Sequence, residues 1–402
     1  VKIDIFNGRL NAITLRSKEK IACSAAIITS GTFLSGIIHI GERKILAGRM
    51  GEERSEGLTE NLSSHGFTFG RLKTGTPPRL KQNSVNWNDL DITFGDKNPT
   101  PFSYFTKNFK PPNEACYTAK TNTKTHNLIK ENLFKSPMFS GEIEGVGPRY
   151  CPSIEDKIFK FKDRSSHILH LEPEWLGSDQ IYLNGFSTSL PEETQLEAIR
   201  EIRGLEYAEF FRPGYAIEYD FFPPAQLKSS LESKDVSGLF FAGQMNGTSG
   251  YEEAAAQGLV CGINASRKIK NLPPLILSRD SSYTGVMIDD LITKDTKEPY
   301  RMFTSRAEYR LLLRVSNTFE RLFEISKKFN LLSGQELFFL KHLKQEKEKI
   351  ASRLDEKVVH TENNKKRHTV LKELLKRPCF SMKDVPASIL KTTNIKERWL
   401  EK

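Results

Sequence analysis

The sequence predicts an α/β protein of two or three domains, in which a sheet domain is interrupted by an insertion and followed by a charged helical end. Three observations predict it. Two short apolar strands, within IACSAAIIT and GLFFAGQ, each run into a glycine, at Gly31 and Gly243. Between them the chain turns rich in Pro, Asn, Thr and Phe and then becomes tightly patterned again. After residue 320, apolar residues recur at helical spacing among Lys and Glu. The length of 402 residues suits this division, since domains run to about 100 to 200 residues each.

Composition bounds the function. With 38% hydrophobic residues the chain can bury a core, and no apolar run approaches the ~18 residues that a membrane span needs. The start, VKIDIF, has no charged leader and no apolar run behind it, so no secretion is expected and the segment reads as mid-strand. Five cysteines (Cys23, Cys116, Cys151, Cys261, Cys379) stand far apart without a CxxC, which predicts free thiols in a reducing cytoplasm. The eight histidines make no HExxH, His167 with His170 reads as a surface pair, and no protein-bound metal is expected. A net charge of +10 and a pI near 9.2 are compatible with a polyanionic partner, and equally with solubility alone.

Along residues 1–32 the pattern is a β meander. VKIDIF, the Asn7-Gly8 turn, RLNAITL and a SKEK turn lead into a buried strand ending at Ser30-Gly31-Thr32. Residues 76–205 read as the insertion, opening in irregular or short-stranded structure, and from RPGYAIEYDFF at Arg212 the first domain resumes. FFLKHLKQEKEKIASRLDEK is an amphipathic helix, and ENNKKRH at Glu362 to His368 reads as a solvated loop that ends it.

Four segments carry chemistry. FAGQMNGTSGYEEAAAQGLVCGINA is a strand, a glycine-broken loop and a helix, with Ser249 and Glu252 in capping-box spacing. A helix terminus there would suit an anion. Ala254, Gly258 and Gly262 leave one helix face bare, which predicts close approach of a backbone or a flat cofactor, or else tight packing on the sheet. In GPRYCPSIEDKIFKF, Ser153 with Asp156 marks a helix start and Ile154, Ile158 and Phe161 its buried face. Cys151 stands just ahead of it, near Arg149 and Lys157, so it is either a reactive thiol or an inert buried one. In TKEPYRMFTSRAEYRLLLR, Arg306, Arg310 and Arg314 fall on one predicted helix face, opposed either by Glu298 and Glu308 or by RNA phosphates and bases. GRLKTGTPPR suits an anion or a rigid domain connection.

GTFLSGIIHIG, GRLKTGTPPR, GPRYCPSIEDKIFKF, RPGYAIEYDFF, FAGQMNGTSGYEEAAAQG and KEPYRMFTSRAEYRLLLR stand in the order and spacing of the MnmG/GidA family, and the chain resembles that family to about residue 330. The resemblance implies a glutathione-reductase-like FAD domain (residues 1–75 and 206–320), an inserted α+β domain with a nicotinamide dinucleotide site (76–205) and a helical C-terminal domain (321–402). It implies an FAD-dependent enzyme that adds a carboxymethylaminomethyl group to carbon five of the wobble uridine of tRNA. The co-substrates would be methylenetetrahydrofolate, NADH and glycine or ammonium. The partners would be an MnmE-type GTPase and a second copy, giving a homodimer and a heterotetramer in the cytoplasm.

Carried onto this sequence, the family's flavin contacts fall on Ser55, Gly243, Gln244, Gly247 and Gly250. Its dinucleotide segment falls on Gly147, Pro148, Arg149, Tyr150, Cys151, Pro152, Ser153, Ile154, Glu155, Asp156, Lys157, Ile158, Phe159, Lys160 and Phe161, and its catalytic cysteine on Cys151. The family's N-terminal GxGxxG turn and a second family cysteine have no counterpart here, and the C-terminal helices are incomplete, so residues 1–402 alone are expected to be poorly soluble and colourless. Cys261, where the family carries alanine, reads as packing. The related folate- and FAD-dependent tRNA uridine methyltransferase is disfavoured by the GPRYCPSIEDK segment and the helical extension. An inactive RNA-binding remnant is the further alternative.

Overall fold

The computed structural model describes residues 1–103, 105–148, 152–294, 298–362, 365–378, 380 and 384–385. The chain divides into two units, one of residues 1–276 with 284–303, the other of 277–283 with 304–402. In the first, β1 (Lys2–Phe6), β2 (Arg9–Thr14) and β3 (Lys20–Ala22) form the expected antiparallel meander. Asn7 and Gly8 both take positive φ, at 48° and 69°, the backbone that a two-residue hairpin turn demands. β4 (Ala26–Ile28) then leads towards Gly31.

A second layer opens with β5 (Ile37–Ile40), β6 (Arg43–Ile45) and the ribbon β7 (Ala47–Arg49) with β8 (Glu52–Glu53), followed by α1 (Leu58–Ser64) and β9 (Gly70–Thr76). The insertion follows as β10 (Arg79–Lys81), β11 (Asp91–Thr93), β12 (Cys116–Lys120), α2 (Thr123–Glu131), α3 (Pro137–Ser140) and α4 (Ile154–Lys160). It continues as β13 (Ile168–Pro173), β14 (Gln180–Asn184), α5 (Glu192–Arg200) and β15 (Phe210–Arg212). Among the described residues its strands make an antiparallel sheet in the order β11-β12-β13-β14-β10-β15. Alternate strand residues such as Leu169, Leu171, Ile181 and Leu183 bury one sheet face against Ile129, Ile154, Ile158, Ala198 and Ile199 of the helices.

β16 (Tyr215–Phe221) returns the chain to that second layer and pairs with β9 and β5, giving the order β6-β5-β16-β9. β17 (Leu239–Phe241) lies parallel to β4. Phe67, Phe222 and Phe241 pack beneath it with ring centroids 5.5–6.2 Å apart. α6 (Tyr251–Ile269) and α7 (Tyr283–Thr293) follow. Cys261 is fully buried on α6, where its Sγ donates to the Phe241 carbonyl at 3.3 Å and burial pushes the thiol up to about 12. It is a packing residue, as the sequence suggested.

The second unit holds α8 (Thr318–Lys328), α9 (Gly334–Ala351), β18 (Lys357–Glu362), β19 (Lys365–Val370) and α10 (Leu371–Leu375). The loop expected at Glu362 to His368 is instead largely strand. β18 and β19 pair antiparallel in register from Lys357↔Val370 to Glu362↔Lys365, so backbone pairing overrides a polar composition that suggested solvation. No helix among the described residues is long and apolar enough to cross a membrane.

Candidate functional site

The C-terminal ends of the parallel pair β4 and β17 are where the glycine loop begins. The ladder continues with the Ala242 N–H donating to the Ile28 carbonyl at 3.0 Å, after which both strands break at glycines of positive φ, Gly31 at 56° and Gly243 at 86°. A Cβ on Gly31 would stand 3.5 Å from Gln244 Oε1, so the Gln244 side chain lies across that break. Gln257 on α6 organises the loop. Its Oε1 accepts from the Gly243 N–H (3.1 Å) and Asn246 Nδ2 (2.9 Å), while its Nε2 donates to Thr248 Oγ1 and the Glu253 carbonyl, both at 3.1 Å.

Three buried oxygens of these segments have no hydrogen-bond partner among the described residues: Ser30 Oγ, Asn246 Oδ1 and Ser249 Oγ. Each such group costs about 1–3 kcal/mol if left unmet, so a cluster of them at strand ends marks a place for a polar ligand or water. Burial holds the Tyr219 phenol far above its ordinary range, against a smaller opposite pull from the Gln244 amide, so it stays protonated and able to donate.

The helix after the loop starts as expected, but without a side-chain cap. Its N-cap is Gly250, so Ser249 and Glu252 form no capping box. The buried Glu253 is turned to residues outside the helix, with Oε1 accepting from the Met302 N–H at 2.8 Å and lying 3.3 Å from Arg301. A Cβ at Gly250 would fall 1.8 Å from Glu253 Oε2, which is why glycine stands there. The bare face of Gly258 and Gly262 has no described atom within 4 Å of where a Cβ would sit, so no backbone of the described residues lies against it. Ser55 is held by its backbone to Phe33 and Ser35 and opens on a separate hollow lined by Arg16, Glu53 and Arg54.

In the second segment, Ser153 Oγ accepts from the Asp156 N–H at 3.1 Å, the helix start that the sequence indicated, and Ile154 and Ile158 are buried. Phe161 is not on that face. The helix ends at Lys160, Phe161 leaves the helical conformation, and its side chain is 48% exposed. Arg149, Tyr150 and Cys151 lie outside the described residues. Glu155, fully buried, accepts at Oε1 from the Ser189 N–H (2.9 Å), Thr188 Oγ1 (3.0 Å) and Ser136 Oγ (3.3 Å).

The stretch leading into this segment rests on Glu218, whose Oε1 accepts from the Glu144 and Gly145 N–H groups (2.9 and 2.8 Å) and whose Oε2 meets His39 Nε2 at 3.0 Å. Burial alone would raise this carboxyl. The His39 and Gly145 bonds and the Arg71 charge outweigh it and hold the group below the ordinary 4.5.

The cations of GRLKTGTPPR are mostly spent inside the fold. Arg71 binds Asp220 at 2.8 Å, and Arg79 binds Glu174 at 3.1 Å and lies over Tyr182, which favours the rigid connection over an anion site. His167, expected as half of a surface pair, is buried against His126 at 5.3 Å between ring centroids, while His170 is exposed; the strand alternation of β13 could have signalled the difference. Among the described residues no group of three or more His, Cys, Asp or Glu could hold a metal ion.

Arg306, Arg310 and Arg314 do not share a helix face. Arg306 closes a 3₁₀ turn (Thr304–Arg306), residues 308–313 form turns, and Arg314 is extended at φ −106°, ψ 152°. Leu313 donates to Tyr309 but Arg314 to Leu312, so the regular ladder fails within one turn. Arg310 and Arg314 are exposed, and Glu308 pairs with Arg279 at 2.6 Å.

A sequence model of the family described as glucose inhibited division protein A matches residues 1–273. The chain belongs to this GidA family. It is 54% identical over 333 residues to a Chlorobaculum tepidum protein named tRNA uridine 5-carboxymethylaminomethyl modification enzyme MnmG, covering 82% of this chain and 54% of that one. A Thermodesulfovibrio yellowstonii protein of the same name is 48% identical over 412 residues, covering 98% and 66%. The Aquifex aeolicus GidA structure in its form II crystal superposes with a TM-score of 0.89 at 40% identity, over 100% of this chain and 65% of that one. The chain thus spans between about half and two thirds of the length of these GidA relatives.

Proposed function

We propose that the protein carrying this chain adds a carboxymethylaminomethyl group to carbon five of the wobble uridine of certain tRNAs. The observation that carries this reading is the 54% identity to a Chlorobaculum tepidum protein named for that activity. FAD is the proposed cofactor of the loop at Gly31 and Gln244, and the residues present fit it. Ser30, Asn246 and Ser249 offer unmet buried oxygens in the same loops as the positive-φ glycines Gly31, Gly243 and Gly247. When bound, FAD supplies the redox steps and takes electrons from NADH.

The chain's own residues prepare that place. Gln257 fixes the loop, the Tyr219 hydroxyl remains a donor, and the Gln244 amide can donate and accept beside Gly31. Ser55 and Gly250 are the further proposed flavin contacts. Residues 147–161 are the proposed NAD(H) segment, Cys151 the proposed catalytic thiol, and methylenetetrahydrofolate the proposed one-carbon donor. Exposed Arg310 and Arg314, with Arg306, are proposed to meet tRNA phosphates. An MnmE-type GTPase, a homodimer and a cytoplasmic setting complete the proposal. Residues 1–75 with 206–320, 76–205 and 321–402 are its flavin, inserted and C-terminal domains.

The test is mass spectrometry of wobble nucleosides from a strain lacking the enzyme and complemented with the gene. Return of the carboxymethylaminomethyl nucleoside is expected. Its absence with well-expressed protein overturns the reading, and 5-methyluridine in its place would favour the methyltransferase.

A further inference from the structure

We propose that a cleft of about 480 Å³ on the inserted sheet, lined chiefly by Lys120, Lys157, Phe161, Arg164, Ser166 and His167, binds a nucleotide through its phosphate and its base. The inference rests on the dinucleotide reading of residues 147–161 and deepens it with Lys120, Arg164, Ser166 and His167, which lie outside that segment. The charge is of one sign. Two exposed cations, Lys120 at the end of β12 and Arg164, flank the opening, Lys157 is fixed by donating to the Gly185 carbonyl at 2.7 Å, and no carboxylate is among the lining residues. Such a rim attracts an anion and gives it charge-assisted hydrogen bonds.

A second observation is independent of charge. His167 is only 8% exposed, its backbone N–H is locked to Thr121 Oγ1 at 2.8 Å, and yet its Nε2 has no hydrogen-bond partner among the described residues. His167 is one of the residues lining the cleft, and a buried ring nitrogen left without a partner at its wall is what a ligand oxygen reaching it would satisfy. Burial, and then the neighbouring His126, Lys157 and Arg164, lower the tendency of His167 to protonate, so it enters the cleft as a neutral imidazole that can donate or accept.

The third part is the ring. Phe161, turned outward where α4 stops, is 48% exposed with the Arg164 guanidinium over one ring face, 5.4 Å from the centroid, a ring and planar cation of the kind on which a base stacks. Phosphate donors, an imidazole and a stacking ring in one cleft of drug-sized volume fit a nucleotide better than a bare inorganic anion.

The probe is fluorescent etheno-AMP titrated into the protein carrying this chain, with AMP, adenosine, NADH and a single-stranded oligouridylate as competitors. Saturable binding is expected, with adenosine at least about tenfold weaker than AMP and a Lys120→Gln/Arg164→Gln double variant weaker by about tenfold or more. Both side chains are exposed, so the variant should fold, and an unchanged circular dichroism melt verifies it. Phe161→Leu should cost several-fold through lost stacking. Stronger displacement by NADH than by the oligomer identifies a free dinucleotide as the natural source, and the reverse order identifies an RNA strand. The site is overturned if etheno-AMP does not saturate, if adenosine binds as tightly as AMP, or if the double variant binds within about twofold of the parent. Loss of etheno-AMP binding with an unchanged KM for NADH in flavin reduction would keep the cleft and discard only the dinucleotide assignment.

Discussion

Glu218→Gln tests whether one buried carboxylate fixes the approach to the dinucleotide segment. Oε1 of Glu218 accepts two backbone N–H groups, from Glu144 and Gly145 at 2.9 and 2.8 Å, just ahead of Gly147. Glutamine preserves shape and one acceptor oxygen but removes the charge. A hydrogen bond to a charged acceptor is worth about 1.5–3 kcal/mol and to a neutral one about 0.5–1.5, so the two together lose about 2 kcal/mol. The loss is concentrated where residues 142–147 lie against β9, at the Lys73 N–H bond to the Val146 carbonyl. Since 1.4 kcal/mol is a factor of ten, the Glu144 and Gly145 amides should exchange with solvent about 30-fold faster, measured by hydrogen exchange with fragment mass spectrometry. Amides in α5, which does not touch Glu218, serve as the internal reference. Unchanged protection at Glu144 and Gly145 would refute the claim that the carboxylate holds this segment.

Other outcomes follow from the same geometry. Glu218 and Glu232 both have folded values below the ordinary 4.5, because bonds from His39 and the Gly145 N–H, and from the Gly238 N–H and Lys268, outweigh burial. Their stabilisation is therefore present above about 4.5 and lost as pH falls through the folded values, while His126 and His167, held below 6.5 by burial, already lose stability as pH falls below about 6.5; a melt series should decline from about pH 6.5 and again below about 4.5, and a melt flat from pH 7 to 4 would contradict this. In the full protein carrying this chain, Gln257→Leu strands the Gly243 N–H and the Asn246 amide and should destabilise by about 2–4 kcal/mol in urea titration while abolishing the yellow colour of bound flavin. Cys151→Ser should leave FAD bound but remove the modified wobble nucleoside, and normal nucleoside levels would return that thiol to a packing role. Arg310→Gln with Arg314→Gln should lower the slope of log K against log salt for tRNA by about 1.5, read by filter binding, and an unchanged slope removes both from the RNA surface.

What the sequence by itself determined is local. The Asn7-Gly8 turn, the Ser153 cap of α4 and the glycines that end β4 and β17 are written in neighbouring residues, because turn backbone and capping are settled within four positions. Family membership was also legible, since long motifs in fixed order need no geometry. What only the tertiary structure decided joins residues far apart in the chain. His39 meets Glu218 across 179 positions, Glu253 rather than Glu252 meets the Met302 N–H 49 positions on, and His167 is buried by packing against His126. The arginines at spacings of four read as one face only if a helix forms, and helix propagation fails where Leu312 and Arg314 find other bonds. Periodicity proposes an element, but the burial of its apolar side and the satisfaction of its backbone groups decide whether the chain adopts it.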